Sequence, residues 1–214
     1  MAGLMSTTAQ MKVIGCALTA LFVAAIAIAL TTTVRGAADE PSRRDAEQLL
    51  LKIDSINRNA LAERPAARRT PITEQELNAY LQFVAKDQIP AGLEEPWVGI
   101  LGDGRLAGKA IVDLDAVSRQ RSSGRLFDPL SYLGGRLPVT ATGVLKTSNG
   151  VGQFELESAE VSGVSVPKAL LQRLVSYYSR STDAPDGVSL DSPFELPARI
   201  RQIDVEKGQA IIVQ

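Results

Sequence analysis

The chain contains no histidine and a single cysteine, Cys16. Without histidine it lacks the side chain best suited to proton transfer near neutrality and the commonest transition-metal ligand. Cys16 lies inside an apolar N-terminal run, so the remainder has no disulfide, no thiol nucleophile and no cysteine-based zinc site. Excess charge is missing too. The formal net charge is −1, and taking out Lys12 and Arg35, the only charges in residues 1–38, leaves −3. A near-neutral, slightly acidic chain lacks the broad positive field that nucleic-acid binding requires, so no nucleic-acid partner is expected.

Catalytic signatures are equally scarce. "GDGRLAG", Gly102 to Gly108, is one residue too long at its last spacing for a dinucleotide loop, and no helix follows it. Asp113 and Asp115, and the loop residues Asp183, Asp186 and Asp191, lack the ordered ligand series of a calcium loop. No serine sits in a nucleophile elbow, and Lys109, Lys146 and Lys168 have no context that marks a base. These patterns predict a protein that is not an enzyme, with no cofactor and no metal.

What is present begins with "VIGCALTALFVAAIAIAL", Val13 to Leu30, eighteen residues without a charge. As a helix it would be about 27 Å long, close to the ~30 Å hydrocarbon thickness of a bilayer. Two readings fit. Signal-peptide cores usually run about 7–15 residues, so the greater length favours an uncleaved anchor. Met11-Lys12 before the run and Gly36-Ala37-Ala38 after it equally fit a signal peptide cleaved before Asp39. In both cases the domain is exported, with Lys12 on the cytoplasmic side. The expected location is the inner (cytoplasmic) membrane, single-pass with the domain outside the cytoplasm; the alternative is secreted or periplasmic after cleavage. "VIGC" resembles a lipoprotein box, but the apolar run follows the cysteine rather than preceding it.

Length allows one good core. The expected division is 1–38 as signal or membrane anchor, 39–71 as amphipathic helix and linker, and 72–214 as an α+β domain. From Asp39 to Glu63, Ala46, Leu49, Leu50, Ile53, Ile56 and Ala60 recur at helical spacing, with Ser42 or Asp39 able to cap. "RPAARRTP", Arg64 to Pro71, reads as a solvated connector between helices. In "PITEQELNAYLQF" Thr73 is a natural N-cap and Glu76 can complete a capping box, while Ile72 and Leu77 fit a hydrophobic staple. "DQIPAGLEEP" then ends that helix.

Beyond Trp97 the period becomes two. Gly102-Asp103-Gly104 marks a tight hairpin, and Leu106, Gly108, Ala110, Val112 and Leu114 share a face opposite Arg105, Lys109, Asp113 and Asp115. A second pair spans Leu137 to Lys146 and Gln153 to Val161. Phe154 and Leu156 alternate in one phase there and Ala159 and Val161 in the other, so a bulge near Ser158 is required to keep all four inside. Ser118 to Pro138 reads as an apolar flap or short helix around Leu126 to Leu133. Pro167 opens a third helix with the stripe Leu170, Leu171, Leu174, Val175 and Tyr178. A closing hairpin runs from Phe194 to Val205 and from Gln209 to Val213. Five or six antiparallel strands with three helices make an α+β fold.

The anchor-like start, the threonine-capped "ITEQELNAYL" helix, strands of the "DGRLAGKAIVDLD" type, "VSGVSVPKALLQRLV" and the "FELPARIRQIDVEKGQAIIV" hairpin follow one another in order. Together they resemble the membrane-tethered envelope proteins of the YpmS and LmeA kind, distant relatives of the tubular, TULIP-like lipid-binding group. The resemblance implies a curved antiparallel sheet packed against amphipathic helices, with an apolar groove or tunnel for acyl chains. Leu77, Leu81, Val84, Leu170, Leu174 and Tyr178 are then either core residues of amphipathic helices or the lining of a ligand site. The corresponding function is an exported, membrane-anchored binding module for a lipid or other apolar ligand. The alternative is a non-catalytic envelope scaffold that binds another protein, with the flap as its contact.

Overall fold

Ser42 turns the chain into its first helix. The Ser42 Oγ accepts from the Asp45 N–H at 3.3 Å and the Asp45 carboxylate accepts from the Ser42 N–H at 3.0 Å, a reciprocal capping box. It starts α1 (Arg43–Leu61), which buries Ala46, Leu49 and Ile56. The computed structural model describes residues 40–90, 92–116, 135–178, 186–187 and 189–214, without the side chains of Leu174, Tyr177 and Tyr178. The Val13–Leu30 run and most of the Ser118–Pro138 flap lie outside these residues. Among the described residues no helix is long and apolar enough to cross a membrane. The buried stripe of α1 is narrower than its sequence predicts, because Leu50 is exposed.

The segment expected to be a connector contains a strand instead. β1 (Arg69–Thr73) pairs antiparallel with β9 (Gln209–Val213), which in turn pairs with β8 (Gln202–Glu206). Pro71 is tolerated because β1 is an edge strand. The Pro71 carbonyl accepts from Lys52 of α1 at 2.7 Å rather than from another strand. Only pairing with the far end of the chain makes this stretch extended, and spacing within it carries no trace of that.

Thr73 ends β1 and caps α2 (Glu74–Phe83) as expected. Its Oγ1 accepts from the Glu76 N–H at 3.2 Å, and the Glu76 carboxylate accepts from the Thr73 N–H at 2.9 Å. The same buried carboxylate receives Lys52 Nζ at 2.7 Å, which ties α2 to α1. A 3₁₀ turn, Ala85–Gln88, follows.

Among the described residues the larger sheet has six strands. β2 (Leu93–Gly102), β3 (Arg105–Asp113), β4 (Arg136–Ser148), β5 (Val151–Val161) and β6 (Val164–Ser165) lie side by side in chain order, and β7 (Phe194–Glu195) pairs with the start of β5. Asp103 and Gly104, both at positive φ, make the two-residue turn between β2 and β3. The bulge is where the alternation demands it. Thr142 faces Ser158 and Gly143 faces Leu156, so Glu157 faces no residue of β4, and Phe154 and Ala159 are both buried. Gly143 is required at that kink, since a Cβ would lie 2.4 Å from both the Glu155 carbonyl oxygen and the Phe154 ring.

The closing hairpin differs from expectation. Phe194 belongs to β7 of the large sheet, and only Gln202 onward forms the hairpin, in the small sheet with β1. Antiparallel strands and helices in an α+β arrangement are as the sequence indicates, but two sheets replace the single one. Ile100, Leu106, Leu145 and Phe154 of the large sheet meet Val205 of the small one, and Leu77 packs against that core. α1 closes a second cluster, in which Ile56 joins Leu196, Ile200 and Ile212. α3 (Lys168–Tyr178) lays Leu171 against Ala141 and Ala159 on the large sheet.

Candidate functional site

β2 is the edge of the large sheet, so its outward N–H and C=O groups need partners. α2 supplies them from one turn. Glu74 accepts from the Ile100 N–H at 2.7 Å, while Asn78 accepts from the Val98 N–H and donates to the Val98 carbonyl, both at 2.7 Å. Asn78 is buried and behaves as a one-residue strand. From the other side the Gly208 N–H donates to the Ile100 carbonyl at 2.8 Å.

Upstream of Val98 this weld ends. The β2–β3 register shifts between Glu94 and Trp97, Glu95 takes a left-handed φ of 49°, and Pro96 has no N–H to offer. An open groove of about 610 Å³ lies between α2 and the bulged start of β2. Leu81, Ile89, Pro90, Leu93, Pro96 and Trp97 form its apolar lining. Asn78, Gln82, Lys86 and Glu95 add polar groups, and Pro41, beside the start of α1, also lines it.

Trp97 is held in place. Its ring lies over Gly99, where a Cβ would come within 2.7 Å of it, and Lys109 Nζ stands 5.3 Å from its centroid. Arg43 stacks similarly on Phe83 at 5.2 Å, next to the groove residue Gln82. Within the cluster that backs α2, burial pushes the Tyr80 phenol above its ordinary value of 10.0, with a hydrogen bond to Gln88 acting the other way. Tyr80 is therefore neutral at physiological pH.

Of the residues singled out from the sequence, Leu77 and Leu81 of α2 come together with Val84, its C-cap residue. They pack with Leu49, Tyr80 and Val98, and of the three Leu81 also lines the groove. Leu170 is 49 % exposed and belongs to α3, outside that cluster, while the side chains of Leu174 and Tyr178 lie outside those described. The acidic residues have local duties: Asp113 accepts from the Ala116 N–H at 2.9 Å, and Asp191 pairs with Lys168 at 2.7 Å. Asp183 lies outside the described residues. The β2 side of the groove escaped the sequence reading because "IPAGLEEPW" has no period. Its one signal is a tryptophan beside prolines where a helix has just ended. Chemically the groove offers apolar area with one cation and one carboxylate, an arrangement suited to holding an elongated apolar group.

No protein-family model matches the chain, and no curated protein matches it.

Proposed function

We propose that the chain is an exported, membrane-anchored and non-catalytic binding module that takes a lipid acyl chain or similar apolar group into the groove between α2 and β2. The observation that carries this reading is the groove itself, about 610 Å³ with Trp97, Leu81, Leu93 and Pro96 in its lining. That volume falls within the roughly 300–1,000 Å³ common for small-molecule sites. The apolar Val13–Leu30 run and the order of elements that resembles the YpmS and LmeA kind support the membrane setting. The ligand residues differ from the sequence-based set: Leu81 is kept, Leu77 and Val84 serve the core behind it, and Trp97, Leu93 and Pro96 join.

Lipid extraction and mass spectrometry of the full chain purified in detergent tests the proposal. A co-purifying lipid is expected, and Gln82→Phe, which fills the groove from an exposed position, lowers its occupancy. A chain that carries no lipid, with the same result for the variant, overturns the reading. The second reading, a scaffold for another envelope protein, draws on Val164 and Leu170, exposed by 67 % and 49 % on either side of Pro167. In-cell crosslinking from those two positions to a stoichiometric partner would favour it.

A further inference from the structure

We infer that the groove faces the bilayer that anchors the chain, with Trp97 and its surroundings seated in the lipid headgroup layer. The inference rests on the membrane-anchored reading above and adds the orientation of the domain and the source of the ligand. Three observations meet at one place.

The first is where the tether arrives. Pro41 lines the groove, and residues 31–40 alone separate it from the end of the apolar run at Leu30. Ten residues reach at most about 36 Å when fully extended, so the groove lies within a domain's width of the hydrocarbon. Thermal tumbling about so short a tether brings this end of the domain to the surface more often than the far end.

The second is the kind of side chain found there. Trp97 is the only tryptophan in the chain, and it lines the groove instead of filling the core. An indole combines a large apolar body with a polar N–H, the combination that favours the membrane–water boundary. Ile89, Pro90 and Leu93 extend the apolar surface beside it.

The third is the cationic groups around this surface. Lys86 lines the groove, Lys109 stands over the Trp97 ring, and Arg43 stands over Phe83. Long basic side chains lie along apolar surface while their heads reach phosphate oxygens, which suits them to this depth. Glu95 is the carboxylate that lines the groove against them. Facing the bilayer, the groove can take an acyl chain directly from the leaflet without exposing that chain to water.

Because Trp97 is the sole tryptophan, its emission reports this one place. The full chain is reconstituted into vesicles of four parts phosphatidylcholine to one part phosphatidylglycerol, with bromine on the acyl chains close to the glycerol. The expected result is loss of most Trp97 emission relative to unbrominated vesicles, together with protection from aqueous iodide. Lys86→Glu should restore part of the emission. Full emission in brominated vesicles overturns the inference, whether or not iodide reaches Trp97. Flotation after carbonate washing reads the anchor separately. A chain that fails to float defeats the anchor reading and this inference with it; one that floats with unquenched Trp97 defeats the inference alone. Quenching without extractable lipid leaves the orientation standing and removes the ligand.

Discussion

Asn78 shows how one side chain can substitute for a strand. It sits at 4 % exposure and satisfies both outward groups of Val98, while Glu74 one turn earlier satisfies Ile100. Asn78→Ala leaves a buried N–H and a buried C=O without partners, at about 1–3 kcal/mol each, so a loss of about 3 kcal/mol is expected in urea unfolding. Asn78→Asp keeps the volume but not the amide donor, and should be nearly as costly. Ser42 and Asp45 offer a pH test at the same scale. Hydrogen bonds from the Ser42 side chain and then its backbone hold the Asp45 carboxyl below its ordinary value of 3.8, with burial opposing slightly. A depressed carboxylate stabilises the folded state above its unfolded value and loses that contribution as pH falls through the folded one. The capping box should therefore persist at neutral pH and open only below 3.8. An NMR titration of Asp45 should move up toward the ordinary value in Ser42→Ala.

At the scale of elements, Glu157, which faces no residue of β4, is absorbed by a bulge that keeps both apolar pairs of β5 inside. Phe154 and Leu156 lie in one phase and Ala159 and Val161 in the other, and side chains alternate strictly along a strand. Removing Glu157 brings Ala159 and Val161 into the phase of Phe154 and Leu156, so a regular strand keeps all four inside without a bulge. Phe154, 2 % exposed in the fold and contributing about 1.5–3 kcal/mol through its ring, stays buried. Deletion of Glu157 should keep the fold and melt close to wild type, and a sharp fall in melting temperature would show that the bulge itself is required. Glu157→Ala removes only a surface pairing with Arg105, worth about 0–1 kcal/mol, and should melt close to wild type. The caps of α1 and α2, the Asp103-Gly104 turn and this bulge were all readable in advance, because each depends on residues a few positions apart.

For the whole molecule, the two sheets are joined by side chains as well as by their shared core. Thr147 of β4 accepts from the Ile203 N–H at 2.8 Å and donates to the Ile203 carbonyl at 3.0 Å, closing the edge of β8 as Asn78 closes that of β2. Thr147→Val keeps the shape and loses both bonds, at about 1 kcal/mol each. The expected outcome is a loss of about 2 kcal/mol, with hydrogen exchange at Ile203 accelerating beyond that of the β4–β5 amides. Gln214 acts similarly at the chain's last residue: its amide donates to the Ile56 and Ala198 carbonyls at 3.0 and 2.7 Å, tying the small sheet to α1.

Local chemistry in the sequence by itself determined the helix starts, the tight turns, the alternation of the large sheet, its bulge, and a composition with neither histidine nor a cysteine beyond residue 16. Those features are settled by neighbours along the chain, within reach of one side chain or one turn. Tertiary structure alone decided that Arg69–Thr73 is a strand, that Phe194 and Gln202 belong to different sheets, and that Trp97 and Leu81 line one groove. The physical reason is that β pairing and concave surfaces are formed by backbone groups and side chains distant in sequence, whose meeting depends on the packing of the entire core.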